Sequence, residues 1–229
     1  MIALVTGAGS PRGIGAACVR ALADRGGTVA FTVMRGEEPP ADLPGTPFTT
    51  DLSEPDAPER LLDAVTERLG HATVLVNNAA HSTRDGYALL DAATIDAHYA
   101  VNVRAPMLLS VLLARAGRPG RIVNLVSGQF LGPMIGELAY TASKGALEAF
   151  TRQLAAEVAH LGITVNAVGP GPNDTGWIDD DLRAELVPRF PMGRIGRPED
   201  AAALIAWLCS EEAGWVTGQV IHSEGGFLR

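Results

Sequence analysis

Short apolar runs alternate with longer segments of helical periodicity from one end of the sequence to the other. Apolar runs that are not interrupted by polar residues are typical of strands buried on both faces, as in parallel sheets. Strands are predicted at residues 2–6, 28–33, 47–50, 73–76, 121–126, 164–168 and 219–222. Helices are predicted at residues 14–25, 57–69, 89–116, 139–161 and 198–210. The sequence therefore predicts an α/β fold, a doubly wound parallel sheet of about seven strands with helices on both faces.

The class of protein follows from what the chain lacks. No linker, repeat or change of composition divides it, so residues 1–229 are expected to form one domain. No apolar run approaches the roughly 18 residues of a membrane span, and no secretory signal precedes the first strand. Two cysteines do not make a disulfide framework, which indicates a cytoplasmic protein. A net charge of −8 argues against a nucleic-acid partner.

A glycine-rich segment follows the first predicted strand and leads into the first helix. It contains Gly7, Gly13, Ile14 and Gly15. Glycines let the backbone approach a pyrophosphate, and a helix N-terminus offers free N–H groups and a positive dipole end. A tight strand–helix turn is the alternative, but the position after the first strand favours dinucleotide binding.

Polar residues also follow the third and fourth predicted strands. Asp51 and Leu52 lie where a carboxylate accepts from an adenine amino group, although an aspartate that caps the next helix fits equally well. Asn78 and Ala79 suit a backbone held close to a ribose, with a simple Asx turn as the alternative.

The residues for proton transfer follow the fifth strand. Ser127 ends that strand, and Tyr140 and Lys144 lie four positions apart near the start of a helix, which places them on one face. A nearby ammonium lowers the pKa of a tyrosine, as a general acid/base at neutral pH requires. Neighbouring surface residues are the alternative, but Lys144 is the only lysine among 18 basic residues.

With these motifs in place, the chain resembles the short-chain dehydrogenase/reductase family, most closely the 3-oxoacyl-carrier-protein reductase type. The resemblance spans nearly the whole chain. It rests on the glycine loop, residues 77–80, Asn102, Ser127, Tyr140 with Lys144, and residues 166–171, 174–175, 191–200, 217–219 and 225–226.

The resemblance implies a Rossmann-type fold and a role for each matching residue. Tyr140 would protonate the carbonyl oxygen, Ser127 would hydrogen-bond that oxygen, and Lys144 would hold the nicotinamide ribose. Asn102 would keep a water in a proton relay behind Lys144. Further cofactor contacts are implied for Asn78 at a ribose and, at the nicotinamide end, for Pro170, Gly171 and Thr175.

The resemblance also bears on the cofactor. Family members selective for NAD carry an acid at the end of the second strand, whereas here no acid occurs before Glu37. Arg12 and Arg35 would bind a 2′-phosphate together. NADP is therefore expected, with NAD as the alternative.

Two features limit the prediction of the site. Gly13 comes six positions after Gly7 rather than the family's four, so Ser10 and Pro11 must bulge, and Ala80 replaces the family's usual glycine. The five histidines show no metal-ligand spacing, and no metal is expected.

The expected function is NADPH-dependent reduction of a ketone, with a 3-oxoacyl thioester or a polyketide-like carbonyl as candidates. The alternatives are an NAD-dependent dehydrogenase of a small apolar alcohol, a non-catalytic dinucleotide-sensing regulator, and an epimerase or dehydratase. Epimerases and dehydratases of this type are usually longer, and a sensor does not need a proton relay.

Substrate and partners are less constrained. The candidate lining residues predict a mainly apolar pocket: Gln129, Phe130, Leu131, Met134, Ile135 and Trp177. An acyl carrier protein is a candidate partner, but it is acidic, and only Arg115, Arg118 and Arg121 offer a basic patch. Apolar residues around much of the long helices indicate a homotetramer or homodimer.

Overall fold

Seven parallel strands form the sheet that the apolar runs predict. The computed structural model describes residues 1–227, so the last two residues of the predicted domain lie outside the described range. The strands are β1 (Ile2–Val5), β2 (Thr28–Val33), β3 (Thr46–Thr49), β4 (Val74–Asn77), β5 (Gly120–Leu125), β6 (Ile163–Gly169) and β7 (Val220–His222). Every predicted strand is confirmed to within one residue at each end.

The helices cover both faces of the sheet. They are α1 (Ile14–Asp24), α2 (Ala57–Leu69), α3 (Ala92–Tyr99), α4 (Ala105–Arg115), α5 (Leu138–Val158), α6 (Asp180–Leu186) and α7 (Pro198–Leu208). Helices α1 and α7 pack on one face, and α2, α4 and α5 pack on the other. Side chains alternate between these faces, so Val5 joins the first core and Leu4 the second.

The strand order places the ligand-binding edge. The order is β3-β2-β1-β4-β5-β6-β7, and it reverses between β1 and β4. In open parallel sheets, ligands bind outside the carboxyl ends of the strands at this reversal. The glycine loop after β1 and the residues after β4 therefore border the same crevice.

The prediction of one helix over residues 89–116 was wrong in detail. Helix α3 begins at Ala92, where Asp91 caps it by accepting a 2.8 Å hydrogen bond from the Thr94 N–H. A π-helical turn, Ala100–Arg104, then separates α3 from α4. Widened turns of this kind are frequent at functional sites, and this one contains Asn102.

The combined segment Ala92–Arg115 is long and apolar enough to cross a membrane by length and composition alone. Half of its most apolar window is buried inside the protein, and α4 packs on the sheet through Leu109 and Leu113. Core helices of globular proteins have the same properties.

Candidate active site

The glycine loop packs tightly against the segment that follows β4. Gly7 has φ of +71°, and a Cβ there would lie 2.7 Å from the Cα of Ala79. A Cβ on Gly15 would lie 2.3 Å from the carbonyl oxygen of Gly7. Both positions therefore require glycine, and the loop presents backbone rather than side chains at the start of α1. This narrow backbone cradle fits a pyrophosphate.

The two additional residues of the loop form a turn, as expected for Ser10 and Pro11. The N–H of Gly13 donates to the carbonyl oxygen of Ser10 at 3.0 Å. This turn absorbs the extra length outside the cradle, so Gly13 still precedes the first residue of α1.

Hydrogen bonds that involve β2 and the segments after β1 and β4 hold the loop. The Asn78 amide donates to the carbonyl oxygens of Thr6 at 2.9 Å and Gly7 at 2.7 Å. The Thr6 hydroxyl accepts from the N–H groups of Asn78 and Ala79, both at 3.0 Å. The Thr32 hydroxyl accepts from the Gly7 N–H at 2.8 Å. Asn78 is thus used to brace the loop, and no sequence signal distinguished this from a ribose contact.

A cavity of about 310 Å³ lies beside the loop, at the ends of β1, β2 and β4. Asp51 and Leu52 line it, as expected. The Asp51 carboxylate accepts from the Ser53 hydroxyl at 2.7 Å and the Ser53 N–H at 2.9 Å, which lowers the pKa of Asp51. Asp51 therefore closes a turn, whereas the N-cap position of α2 belongs to Asp56, whose side chain makes no capping hydrogen bond.

A second carboxylate, which is not among the predicted site residues, also lines this cavity. Glu37 accepts from the Met34 N–H at 3.0 Å. Its Oε2 would lie only 2.3 Å from a Cβ on Gly9. The Glu37 carboxylate therefore reaches across from the end of β2 to the glycine loop.

The two arginines expected at a 2′-phosphate lie outside this cavity. Arg12 lies 3.7 Å from Asp174 and Arg35 lies 3.1 Å from Glu54. Both side chains are about 70% exposed, at 69% and 70%. Exposed ion pairs contribute about 0–1 kcal/mol, so these contacts do not fix either guanidinium firmly.

Tyr140 and Ser127 meet in a second cavity of about 700 Å³ at the carboxyl end of β5. A hydrogen bond with Ser127 favours the phenolate, but burial is the larger effect and raises the pKa of Tyr140. We expected a nearby ammonium to lower the pKa of this phenol. Because the net shift is upward, that expectation was wrong. Tyr140 is therefore protonated at neutral pH, and its raised pKa makes the phenol a weaker acid than an exposed tyrosine.

Lys144 is buried behind Tyr140. Its side chain is 2% exposed, and its Nζ lies 5.7 Å from the centre of the Tyr140 ring. The Nζ donates to the carbonyl oxygen of Leu125 at 2.9 Å, which leaves two of its three hydrogens for other acceptors. Burial lowers the pKa of Lys144 from 10.5 to about 8.

Asn102 connects the π-helical turn to the neighbouring segments. Its Oδ1 accepts from the His81 N–H at 2.7 Å, and its Nδ2 donates to the His81 carbonyl and the Ser143 hydroxyl, both at 2.9 Å. Both amide hydrogens are thus used within the protein. Ser143 lies on α5 between Tyr140 and Lys144, so Asn102 positions the helix that carries both.

Sequence reasoning missed Asp85, which caps α5, the helix that contains Tyr140 and Lys144. Its carboxylate accepts from the N–H groups of Leu138 at 2.6 Å and Ala139 at 2.8 Å. Asp85 is 8% exposed and lies 53 positions before Leu138. Because the capping residue lies in a loop distant in sequence, no local sequence motif predicts the cap.

The segment after β6 borders the second cavity. Gly171 and Thr175 line it, and Pro170 accepts a 2.6 Å hydrogen bond from the Asn173 amide. Trp177 also lines the cavity and donates to the Asn173 carbonyl at 2.8 Å. The expected nicotinamide-end residues therefore lie beside Tyr140.

The candidate carrier-protein patch lies elsewhere. Arg115 and Arg118 precede β5, and Arg121 is its second residue, so all three lie at the amino end of a strand whose carboxyl end leads to Ser127. Arg121 is also occupied by the carbonyls of Ser210, Gly120 and Gly162. Within residues 1–227, no group of three or more histidine, cysteine, aspartate or glutamate side chains is placed to hold a metal.

Comparison with known proteins agrees with this geometry. A family model described as enoyl-(acyl carrier protein) reductase matches residues 7–228. The chain belongs to the short-chain dehydrogenase/reductase family. The fold and the oxidoreductase class inferred from the sequence are thereby confirmed.

Individual relatives match over nearly their whole length. The chain is 49% identical to the uncharacterized oxidoreductase YjdA of Bacillus subtilis, over 100% of this chain and 97% of the relative. It is 34% identical to the 3-oxoacyl-(acyl-carrier-protein) reductase FabG of Vibrio cholerae, over 98% and 96%. A blue fluorescent protein from a metagenomic library, solved in complex with NADPH, superimposes with a TM-score of 0.90 at 32% identity, over 100% and 98%.

Proposed function

We propose that this protein reduces a ketone to the corresponding alcohol, with NADPH as reductant. The observation that carries the proposal is geometric: Tyr140 is hydrogen-bonded to Ser127 in a cavity at the carboxyl end of β5, and the Nζ of the buried Lys144 lies 5.7 Å from the centre of the Tyr140 ring. A phenol that is protonated at neutral pH is ready to donate a proton, which is what reduction of a carbonyl needs.

The chain's own residues account for the proton and the charge. Tyr140 donates its phenolic proton to the carbonyl oxygen, and the Ser127 hydroxyl donates a hydrogen bond to the same oxygen. Lys144 stabilises the phenolate that remains, and its free hydrogens would hold the nicotinamide ribose. A bound reduced dinucleotide supplies the hydride that the carbonyl carbon takes up.

The remaining cofactor contacts are proposed from the loop and the crevice. The backbone of Gly7, Gly13, Ile14 and Gly15 would hold the pyrophosphate. Asp51 and Leu52 would contact the adenine, while Asn78 and Ala79 would contribute backbone at a ribose. Pro170, Gly171 and Thr175 would hold the nicotinamide end.

The choice between NADPH and NADH depends on the charged side chains in and near the smaller cavity. The NADPH-bound structural neighbour and the exposed guanidiniums of Arg12 and Arg35 support NADPH. NADH is a second candidate, because the Glu37 carboxylate within this cavity would accept from a ribose diol and repel a 2′-phosphate.

The substrate class is tested by a panel of ketones and acyl thioesters, each assayed by the loss of NADPH absorbance. The resemblance to FabG makes a 3-oxoacyl thioester a candidate, with an acyl carrier protein as its partner. Reduction of at least one ketone supports the proposal. Tight binding of the dinucleotide without turnover of any panel member would favour the sensing regulator instead.

Location and assembly belong to the same proposal. Free, buried Cys18 and Cys209 support a reducing cytoplasm. Exposed apolar side chains on α3 and α4, among them Ile95, Met107 and Leu108, support a homotetramer or homodimer, which light scattering would measure. The catalytic unit is proposed to be one domain, residues 1–229.

A further inference from the structure

The cavity beside Tyr140 is more charged than the apolar pocket that the sequence predicts. Leu131, Met134 and Trp177 line it as expected, but so do Arg84 and Arg189. Arg84 lies in the loop after β4, and Arg189 ends the short 3₁₀ turn that follows α6. Two separate segments thus bring cations to one cavity.

Neither guanidinium has an acidic partner within the part of the chain that the structure describes. Other arginines near the crevice, such as Arg12 and Arg35, each lie within 4.0 Å of a carboxylate. Among residues 1–227, neither Arg84 nor Arg189 has such a contact. Glu137 is the only carboxylate among the described residues that line the cavity, so the two arginines leave it with a positive balance.

The arginine side chains also rest against the cavity wall. The Arg189 guanidinium lies 4.6 Å from the centre of the Phe227 ring, and Phe227 itself lines the cavity. The Nη1 of Arg84 lies 3.5 Å from where a Cβ of Gly136 would be, directly beside Glu137. Packing of this kind reduces the entropy lost when a guanidinium binds a ligand.

We infer that Arg84 and Arg189 form an oxyanion subsite, so that the preferred ketone carries a carboxylate or a phosphate. The inference rests on the proposed function, because the same cavity contains Tyr140 and Ser127. An arginine recognises a carboxylate or a phosphate through paired N–H groups. The anionic group is therefore on the molecule that is reduced: either a keto acid, or a thioester whose carrier arm bears phosphate.

Matched substrate pairs separate charge from the ketone. Acetoacetate and methyl acetoacetate share one ketone but differ in charge, and acetoacetyl-4′-phosphopantetheine differs from acetoacetyl-pantetheine only by its phosphate. The enzyme should favour the anionic member of at least one pair by about 10-fold or more in kcat/KM, since hydrogen bonds to charged groups contribute about 1.5–3 kcal/mol. Preference in the first pair assigns a carboxylate, and preference in the second assigns a phosphate.

Variants link the preference to the subsite. Arg84→Gln and Arg189→Gln should each lower the anionic-to-neutral ratio of kcat/KM about 10-fold, and added salt should lower it in the wild type. Arg68→Gln, a change at an exposed arginine in the last turn of α2, should leave the ratio unchanged. Equal kcat/KM within both pairs, or an equal loss in Arg68→Gln, would overturn the inference. Reduction of none of the four ketones would instead count against the proposed function.

Discussion

Replacing Lys144 with methionine tests whether burial lowers the pKa of the Lys144 ammonium. The side chain is 2% exposed, and burial lowers its pKa from 10.5 to about 8. The unfolded chain keeps the ordinary pKa, so between pH 8 and 10.5 the unfolded state binds a proton that the folded state does not. The free energy of unfolding therefore receives a contribution that rises with pH across this window and is absent below it.

The size of this contribution follows from the two pKa values. A fall in pKa from 10.5 to about 8 corresponds to about 3 kcal/mol. Burial raises the pKa of Tyr140, Cys18 and Cys209, and these groups reduce stability at alkaline pH. These groups are present in both proteins. The difference in the free energy of unfolding between wild type and Lys144→Met therefore isolates the contribution of the lysine.

Urea unfolding followed by tryptophan fluorescence measures that difference at several pH values. The wild type should gain about 3 kcal/mol relative to Lys144→Met as the pH rises from about 7.5 to 10.5. Arg152→Met is a matched control, because Arg152 lies on the same helix, is 54% exposed and does not titrate in this range. A difference that stays constant with pH would refute the assignment of a lowered pKa to Lys144.

Three further predictions concern positions around the site. Lys144→Arg should lower kcat/KM about 10²-fold and the free energy of unfolding by about 1–3 kcal/mol, because the larger guanidinium does not fit the buried site of the lysine. The control Arg152→Lys should change neither quantity. Wild-type activity in Lys144→Arg would contradict this prediction. Asp85→Ala should lower the free energy of unfolding by about 1–3 kcal/mol in urea titrations, because the N–H groups of Leu138 and Ala139 at the start of α5 lose their acceptor. Asp85→Asn keeps one acceptor and should lose less free energy of unfolding than Asp85→Ala. Equal losses in the two variants would show that the cap is not the cause. Arg35→Gln should lower the NADPH-to-NADH ratio of kcat/KM, and Glu37→Gln should raise it. A wild type that prefers NADH, and whose ratio Arg35→Gln does not change, would favour NADH as the cofactor.

The sheet was predictable because its signal is local. Most of the seven runs are continuously apolar, as expected where a strand is buried on both faces, and all seven located their strands to within one residue. The helical segment over residues 89–116 was harder. Its periodicity does not show where the backbone widens into the π-helical turn around Asn102, which is held by contacts to His81 and Ser143.

The candidate site was predictable where spacing along one element decides the geometry. Tyr140 and Lys144 share a helix, and Ser127 lies two residues after the strand before it, so the sequence alone brought them together. Contacts between distant segments were not predictable. Examples are the cap from Asp85, the contact of Glu37 with the glycine loop, and the two arginines that line the cavity beside Tyr140.

The direction of a pKa shift was also beyond the sequence. The spacing of Tyr140 and Lys144 shows that a cation is near the phenol, but not how deeply both are buried. Burial raises the pKa of the phenol and lowers that of the ammonium, so it opposes the effect expected from charge alone.

The most direct test of the proposed reaction is turnover by Tyr140→Phe with a ketone that the wild type reduces. Removal of the phenolic hydroxyl should lower kcat by about 10²–10⁴-fold, while the Kd for NADPH, measured by fluorescence titration on the same sample, stays near the wild-type value. This combination would assign proton donation to Tyr140. A Tyr140→Phe variant that kept near-wild-type kcat would contradict the account, because the carbonyl oxygen would then receive its proton from another group.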